Sequence, residues 1–576
     1  MNFKNQQRTI RRNVSWLVTL FVLAILVNAS IGYVFIHFSF PGTRGGPMFD
    51  LGDPGRQRLL VFSFGVTLLL TLGTAIVQFF RFSSSGDYLA QSMGADAIAP
   101  DTTQTVDRRL MNVVEEISVA SGVPVPMVFV MREQPGINAF VFGSSPQNAV
   151  LCVTQGCLDR FDRDELQAVI AHEYGHLLNN DMAFNRKVIA YLSGLVVLRE
   201  WGLRALGRRK GAPVALPLLF IGTFGYFFSL IISRAVSRQR EFLADAFSVQ
   251  FTRNPSALAN ALRKILWNEP GSVIRHPKTA AIAPLLFADG TRASWLSTHP
   301  SLEERISRID PIAGPDPQGS RVESGANAAF SSLPSSMHLS YAGAFMRKVP
   351  EGVLHACRDL RGAQTVVRSF FAPPGSRGLA PFEALASDVR AMGRTARLPL
   401  VQLCLPTLRS LPEDEFSRFR QGLLEDLRAD EKIDLNEWML ATLVSQARSH
   451  DRPREVRYRS LDGLKPQVRT LFCALASISK DSASSEALDA ALSAIHVSFR
   501  FEIGPCTVEE VHRATQSLAH ASASIRTDLL QALLAYVLHD RIVTIEEIEF
   551  LRTIATVFEI PAPPIPPERL SLVTFR

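Results

Sequence analysis

Uncharged residues are concentrated in two long runs near the amino end of the chain. Residues 14–38 and 59–80 contain no charged side chain, and each run is long enough to cross about 30 Å of hydrocarbon as a helix. A cleaved signal peptide explains the first run less well, because such a peptide has an apolar core of only about 7–15 residues. The pattern therefore predicts an N-terminal membrane anchor of two transmembrane helices over residues 1–82.

The charges around the first run predict its orientation. The segment before it carries basic residues and no acidic one, whereas the loop after it mixes both signs; the basic residues are Lys4, Arg8, Arg11 and Arg12. Basic residues accumulate on the cytoplasmic side of membrane proteins. We therefore expect the amino end, and the chain after the second run, on the cytoplasmic side.

Two further apolar runs, residues 188–198 and 214–232, form a predicted hydrophobic hairpin over residues 184–233. If both runs crossed a membrane, the basic loop between them would lie outside, against the positive-inside rule. The sequence leaves open whether this hairpin spans a bilayer or only enters it.

Between these runs the spacing of apolar residues predicts a mixed α and β region. One helix is predicted by apolar residues at helical spacing, namely Leu110, Val113, Val114 and Ile117. Residues 127–131 and 149–154 are short and rich in β-branched or aromatic side chains, which is typical of strands. Asp162 followed by Glu165 predicts a capping box at the start of a second helix.

The composition changes after residue 311. Residues 312–341 are rich in Gly, Pro and Ser, which is typical of a linker, and residues 342–576 predict an all-helical C-terminal domain. Within it, segments 427–444 and 537–555 align with each other. They lack the alternating oxygen ligands and central glycine of a calcium-binding EF-hand, so we interpret them as repeated helix-turn-helix units, each with an acidic cap on its second helix.

Charge and cysteine content exclude some classes of function. The net charge of +7 comes from 61 Lys and Arg against 54 Asp and Glu, which are interspersed without a basic stripe, so we expect no nucleic-acid partner. The six cysteines form no CxxC pair and no zinc-finger spacing. They indicate buried thiols in a reducing compartment rather than a disulfide framework.

The segment AHEYGHLLNND contains the candidate chemistry, because it places His172, Glu173 and His176 on one helix. Residues four apart project from the same helix face, so both imidazoles can bind one ion while Glu173 lies beside it. A catalytic zinc ion has three protein ligands and an open position for water, from which Glu173 would take a proton. The sequence therefore predicts one Zn²⁺ per chain.

The third ligand has to come from another part of the chain. Glu241 in SRQREFLADAFSV is the strongest candidate, and Asp245 lies one helical turn further on the same face. Asp245 could accept a hydrogen bond from a ligand histidine and so fix its tautomer, or it could make an ordinary polar contact with an arginine. Both interpretations of Asp245 stay open at this point.

Five motifs, in order, carry a family resemblance: INAFVFG, AVLCVTQGCLDRF, AHEYGHLLNND, SRQREFLADAFSV and STHPSLEERISRI. They resemble the membrane-bound zinc endopeptidases that include the HtpX heat-shock proteases and the CAAX prenyl endopeptidases. The resemblance covers roughly the first 311 residues. It implies an α+β zincin-type peptidase domain over residues 83–311, with a small sheet and the HExxH helix.

The resemblance also implies the roles of the site residues. The implied zinc ligands are His172, His176 and Glu241, and Glu173 is the implied catalytic base. His299 would lie near the zinc and stabilise the oxyanion that forms during hydrolysis, and Arg305 would be structural. Asn138, Ala139 and Phe140 would belong to an edge strand along which an extended substrate pairs through its backbone.

The C-terminal repeats resemble the all-helical tellurite-resistance B-like fold, which implies no chemistry of its own. We expect this domain to recruit a substrate or a protein partner. The predicted fold class is thus a mainly α integral membrane protein, in which an α+β zincin-type peptidase domain precedes an all-α C-terminal domain.

The predicted function is hydrolysis of peptide bonds in membrane or misfolded proteins by a membrane-anchored zinc endopeptidase, as in protein quality control. Its expected partners are a protein or peptide substrate and the lipid bilayer, and its expected location is the bacterial inner membrane, multi-pass, with the active site facing the cytoplasm. The alternative is a catalytically inactive membrane scaffold that recruits partners through its C-terminal domain. A metal transporter is least favoured, because the first two runs contain few polar residues.

Overall fold

The computed structural model describes residues 54–562 and the isolated positions 26, 27, 30, 33 and 34. Within the main range, the positions outside the description are 84–85, 144, 180–198, 207–211, 277, 290–298, 311–335, 374, 377–378, 428–432, 449–454, 480–484, 495–499 and 540–542. The apolar run at 188–198, nearly all of the run at 14–38 and most of the predicted linker therefore lie outside the described residues.

The first half of the described chain alternates helices with short strands. Its helices are α1 (Pro54–Ser83), α2 (Gly86–Ser92), α3 (Thr105–Ser121), α4 (Gln155–Arg160), α5 (Arg163–Leu178), α6 (Ala212–Thr252), α7 (Pro255–Trp267), α8 (Thr279–Ile282) and α9 (Leu302–Ile309). Helix α3 ends where Gly122 adopts a φ of 72°, a left-handed conformation that glycine reaches without steric cost.

The strands form one small mixed sheet. They are β1 (Asp96–Ala97), β2 (Met127–Met131), β3 (Ala139–Phe142) and β4 (Val150–Thr154), and their order in the sheet is β1-β2-β4-β3. Strands β2 and β4 are parallel, while β1 and β3 pair antiparallel with β2 and β4. Strand β3 is therefore an edge strand, and helix α5 packs next to it.

The described residues after the linker are helical. The helices are α10 (Ser336–Lys348), α11 (Glu351–Arg358), α12 (Leu360–Arg368), α13 (Glu383–Ala391), α14 (Arg397–Ser410), α15 (Glu413–Leu427), α16 (Leu435–Ser445), α17 (Lys465–Ile478), α18 (Ser485–Ala494), α19 (Val508–Ala519), α20 (Ala523–Val537) and α21 (Ile545–Val557). Short 3₁₀ turns join several of them.

Two large apolar cores hold these elements together. The first runs from Ile98 through Phe345 on α10 to Ala447. It therefore joins residues 83–311, the predicted peptidase domain (called the peptidase region below), to the helices that follow the linker. The second core contains Trp438 and continues through the helices up to Ile560. Helix α16 contributes to both cores, since Leu440 belongs to the first and Met439 to the second.

The predicted membrane class is corrected by the structure. Among the described helices, none is long and apolar enough to cross a membrane. The run at 59–80 lies inside α1 and the run at 214–232 inside α6. Each run is part of a longer helix, and the length of an uncharged run does not by itself make such a helix apolar enough to span a bilayer. The mainly α integral membrane class is therefore wrong for the described chain, and the multi-pass location that rested on it is not confirmed.

Several local predictions are confirmed. The helix predicted from Leu110, Val113, Val114 and Ile117 is α3, and all four residues are buried. The two predicted strands are β2 and β4, with β4 beginning one residue later than expected. In each aligned repeat the second helix begins with a capping box. The N-cap is the acidic Asp434 in the first copy, as predicted, whereas in the second copy it is Thr544 and the acidic partner is Glu547.

Candidate active site

The helix that carries the HExxH motif begins with the capping box that the sequence predicted. The Asp162 carboxylate accepts from the Glu165 backbone N–H at 2.8 Å, and the Glu165 side chain accepts from the Asp162 N–H at 2.9 Å. Lys264 on α7 donates to Glu165 at 2.6 Å. These contacts satisfy backbone donors that the first helical turn leaves open, so they hold the start of α5 in place.

Helices α5 and α6 cross at close range. The Ser248 hydroxyl on α6 donates to the Ala168 carbonyl oxygen on α5 at 2.6 Å. A Cβ atom at Gly175 would lie 3.3 Å from Ala244 Cα and 3.1 Å from Phe247 Cδ1, so a residue without a side chain is what this crossing accommodates. The close crossing brings Glu241 on α6 opposite the two histidines of α5.

The structure brings the three candidate ligands together. One ligand atom from each of His172, His176 and Glu241 lies within 4.8 Å of the other two. Glu241 Oε2 is 3.7 Å from His172 Nε2, and Glu241 Oε1 is 3.7 Å from His176 Nε2. His172 and Glu241 are 0% and 2% exposed.

This donor set fits a metal ion. Both separations are too long for a hydrogen bond and close to the roughly 3.4 Å that separates two ligands of one tetrahedral zinc ion. Among the described residues, the buried His172 Nε2 has no hydrogen-bond partner, although a buried polar atom is normally satisfied. Two imidazoles and a carboxylate, aimed at one point, therefore form a group that could hold a metal.

Asp245 makes both of the contacts that the sequence left open. Its Oδ1 lies 3.0 Å from His172 Nδ1, and it accepts from Arg305 through Nη2 at 2.6 Å and Nε at 2.9 Å. Burial alone would raise the pKa of Asp245, but Arg305 and His172 bring it below the ordinary value. Asp245 is therefore an ionised acceptor placed to receive the His172 Nδ1–H, which leaves Nε2 on the side of Glu241.

Arg305 is fully buried, and its charge is compensated at this site. Besides Asp245, it donates through Nη1 to the Phe287 carbonyl oxygen at 2.6 Å. Burial would lower the pKa of Arg305, but Asp245 and Glu241 raise it above the ordinary value. No pattern in the sequence singles out Phe287, whose ring packs edge-on against His172 with centroids 4.9 Å apart. That contact depends on a loop whose path no local pattern predicts.

Glu173 lies beside the ligand group formed by His172, His176 and Glu241, and its carboxylate is buried. The residue is 0% exposed, and neither of its oxygens has a hydrogen-bond partner among the described residues. Burial raises the pKa of Glu173 to about 7, although His176 acts in the opposite direction. A buried carboxylate with free acceptor positions is what a general base near a reacting water requires.

His299 also lies at the site. Its Nδ1 is 3.2 Å from Glu241 Oε2, and its Nε2 donates to the Ala283 carbonyl oxygen at 2.8 Å. Burial lowers the pKa of His299, but Glu241 raises it and the net direction is upward. The ring is thus anchored on one side while the other side faces the ligand group, and its predicted role at the oxyanion stays a prediction.

The predicted substrate-binding residues lie at the start of the edge strand. Asn138 is buried, and its amide donates to the carbonyl oxygens of Ser272 at 2.8 Å and Ala288 at 2.9 Å. The Ala139 carbonyl oxygen accepts from the Phe287 N–H at 2.8 Å, and Phe140 is buried. Asn138 therefore fixes the loop beside β3, and the binding role of these residues stays a prediction.

Comparisons with known proteins agree with this geometry. Residues 104–313 match Peptidase family M48. The chain is similar to a protease HtpX homolog of Caldanaerobacter subterraneus, with 37% identity over 267 residues that cover 43% of this chain and 86% of the relative. No solved structure matches.

A second relative covers more of the chain. It is a protease HtpX homolog of Streptococcus pyogenes serotype M28, which is 32% identical over 324 residues, and the match covers 53% of this chain and 97% of the relative. Nearly the whole length of such a protease is thus matched by this chain, and the matched family segment contains every residue of the candidate site. The chain therefore belongs to Peptidase family M48, and it is a metalloprotease.

Proposed function

We propose that this protein is a zinc-dependent endopeptidase that hydrolyses peptide bonds in membrane or misfolded proteins. The observation that carries the proposal is the convergence of His172, His176 and Glu241 beside the uncommitted carboxylate of Glu173. Three protein ligands, rather than four, are typical of catalytic zinc, because the remaining position is open to water. This argues against the inactive scaffold, since a structural zinc would use a fourth protein ligand.

Zinc is the metal that this donor set favours. Nitrogen from imidazole together with one carboxylate oxygen is a common catalytic zinc set, whereas calcium and magnesium prefer oxygen ligands. When bound, the ion would lower the pKa of a water molecule toward about 7 and polarise the scissile carbonyl. His172, His176 and Glu241 would hold it.

The protein's own side chains would transfer the proton, orient the metal ligand and stabilise the oxyanion. Glu173 accepts a proton from the attacking water and delivers it to the amide nitrogen that leaves. Asp245 keeps the His172 ring in the tautomer and orientation that present Nε2 to the ion, and Arg305 holds Asp245 in turn. His299, with a proton on Nδ1, would donate to the oxyanion of the substrate carbonyl.

The substrate would bind in an extended conformation. An edge strand next to a hydrolytic site allows a peptide to pair through its backbone, which selects chain conformation more than sequence. Unfolded segments satisfy this requirement, whereas folded proteins do not. We therefore expect misfolded or unfolded chains to be cleaved in preference to native ones.

Metal content and cleavage test the proposal together. We expect about one zinc per chain by mass spectrometry, loss of zinc in Glu241→Ala, and retained zinc in Glu173→Gln. Cleavage of unfolded casein should fall by roughly 10²-fold or more in Glu173→Gln, because the proton acceptor is removed. The matched control is Glu133→Gln, at an exposed position, which should cleave normally. Zinc undiminished in Glu241→Ala would contradict the ligand assignment.

A further inference from the structure

Only part of the main chain of strand β3 faces the free edge of the sheet. In an antiparallel pair, successive residues point their N–H and C=O groups alternately toward the partner strand and away from it. The Thr154 N–H donates to the Asn138 carbonyl oxygen at 3.0 Å, so the main chain of Asn138 points toward β4. The alternation therefore directs the main-chain groups of Ala139 and Val141 to the free edge.

Both edge groups of Ala139 are already bonded within the chain. Its N–H donates to the Asn138 side-chain oxygen at 3.0 Å, and its carbonyl oxygen accepts from the Phe287 N–H at 2.8 Å. The Asn138 side chain also donates from its amide nitrogen to the carbonyl oxygens of Ser272 and Ala288. Both hydrogens of that amide are thus used, so a substrate finds no free donor at this end of β3.

Phe287 is held firmly at this end of the edge. It is 0% exposed, and its carbonyl oxygen accepts from Arg305 Nη1 at 2.6 Å. Its ring packs against His172, with centroids 4.9 Å apart. A substrate that displaced Phe287 from Ala139 would therefore disturb the support of a ligand histidine.

Val141 differs from Ala139 in this respect. Among the described residues, neither the N–H nor the carbonyl oxygen of Val141 has a hydrogen-bond partner. The residue is only 4% exposed, and its side chain belongs to the first apolar core. Buried main-chain groups are nearly always hydrogen-bonded, and a buried donor or acceptor without a partner costs free energy. These two groups therefore need a partner that the described chain does not provide.

Val141 also lies close to the candidate active site. Two residues of a strand span about 7 Å, and this distance separates Val141 from Ala139, which is bonded to Phe287 beside His172. Helix α5, which carries His172, packs next to β3. An extended peptide along this edge would thus lie beside the ligand group.

We propose that Val141 is the residue that binds the substrate backbone. Its N–H and C=O would bond the C=O and N–H of one substrate residue, as in a hydrogen-bonded pair of antiparallel strands. This inference rests on the proposed endopeptidase function and assigns the position at which the substrate pairs. Because Phe287 occupies Ala139, the substrate pairs at this one position and not along the whole strand.

Proline at position 141 tests the proposal. Proline has no N–H, yet an edge strand tolerates it where that group points away from the sheet. We expect the KM for a casein-derived peptide to be about 3- to 10-fold higher in Val141→Pro than in Val141→Ala, because one hydrogen bond to the substrate is lost. Both variants lose the valine side chain, so the comparison isolates the N–H. Their kcat values should agree within about twofold, since the ground state and the transition state make this bond equally.

Ala97→Pro is the matched control on the opposite edge of the sheet. Ala97 is exposed on β1, and its N–H points away from β2, because the next residue, Ile98, donates to the Val128 carbonyl oxygen at 2.8 Å. This variant should keep the KM and kcat of the wild type. Equal KM values in Val141→Pro and Val141→Ala, with zinc retained in both, would overturn the proposal and leave the endopeptidase function intact. A wild-type chain that binds zinc and cleaves nothing would overturn both.

A series of modified peptides tests the same pairing without a change in the protein, and it decides the matter if circular dichroism shows Val141→Pro to be unfolded. In each peptide one amide other than the scissile one is replaced by an ester, which removes one N–H donor. We expect KM to rise about 3- to 10-fold at one position only, where the N–H donates to the Val141 carbonyl oxygen. A rise at several positions, or at none, would overturn the proposal.

Discussion

We expect Asp245 to orient His172, one of the three proposed metal ligands. It lies 3.0 Å from His172 Nδ1 and also accepts from the fully buried Arg305. We predict that Asp245→Asn lowers zinc affinity about 10- to 100-fold, because the amide no longer fixes the imidazole tautomer. Competition with a chromophoric zinc chelator measures this, at a temperature where circular dichroism shows the variant folded.

The matched control for this change is Asp164→Asn. Asp164 is exposed in the first turn of α5, so the same substitution there removes a charge without touching the site. Zinc affinity should stay at the wild-type value. If Asp245→Asn also binds zinc like the wild type, then Asp245 serves only as the partner of Arg305 and the proposed link to His172 is refuted.

Among single residues, the sequence predicted those site residues whose positions follow helical spacing. His172 and His176 share one helix face, and Glu241 and Asp245 share another, so each pair could be named from a four-residue interval. The meeting of the two pairs follows from the crossing of α5 and α6, which the family resemblance implied and local spacing did not. Phe287 could not be found, because its place depends on how one loop returns to β3.

Among the elements, the crossing of α5 and α6 decides whether the two halves of the site meet. Gly175 is the contact point, since a Cβ there would lie 3.1 Å from Phe247 Cδ1. We predict that Gly175→Val lowers the free energy of unfolding by about 1–3 kcal/mol, because the added methyl groups overpack the crossing. It should also weaken zinc binding, since α6 carries Glu241. Urea denaturation and zinc competition measure the two effects.

Gly352 provides the control for this substitution. It lies in helix α11, is exposed, and a Cβ there would meet nothing within 4 Å. Gly352→Val should therefore change stability by less than about 0.5 kcal/mol. Equal stabilities of the two valine variants would show that the crossing has room for a side chain and that the close approach does not matter.

How well an element could be predicted depended on whether its sequence pattern is local or involves residues far apart in the chain. The capping box at Asp162 and the periodicity of α3 are local, and both were predicted correctly. The uncharged runs at 59–80 and 214–232 are local signals as well, but a membrane span is not what they form. They lie in α1 and α6, and neither helix is long and apolar enough to cross a membrane. The order of the strands in the sheet, with β3 at the edge, depends on pairing that no single segment specifies.

For the whole molecule, we predict that the buried Glu549 carboxyl makes the free energy of unfolding depend on pH. It is 2% exposed on α21, and burial raises its pKa from 4.5 to about 7. Arg397 and Arg394 face it and act in the opposite direction, as does Arg552, while Glu546 adds to the increase. Between pH 4.5 and 7 the folded chain therefore binds more protons at this residue than the unfolded chain does, so stability falls as pH rises through this window.

Replacing Glu549 tests that sign. We predict that Glu549→Gln is more stable than the wild type at pH 8, by up to about 3 kcal/mol, and that the difference shrinks toward pH 5. Urea denaturation at the two pH values measures it. Glu486→Gln, at an exposed position of α18, should show no such dependence. A constant difference between Glu549→Gln and the wild type across pH would refute the titration of Glu549 in this range.

The first apolar core predicts how the chain can be divided. Phe345 on α10 is 1% exposed and belongs to the same core as Leu110 on α3, and Arg358 on α11 donates to Glu115 on α3 at 3.1 Å. A chain truncated after residue 335 loses these partners and exposes the apolar face of α3. We predict that it shows no cooperative urea transition, since that face contributes much of the burial that stabilises the peptidase region.

A chain truncated after residue 450 keeps α10 through α16, with most of the first core, and should unfold cooperatively and bind one zinc. Cooperative unfolding of the shorter fragment at wild-type stability would show that the peptidase region folds without the helices that follow the linker.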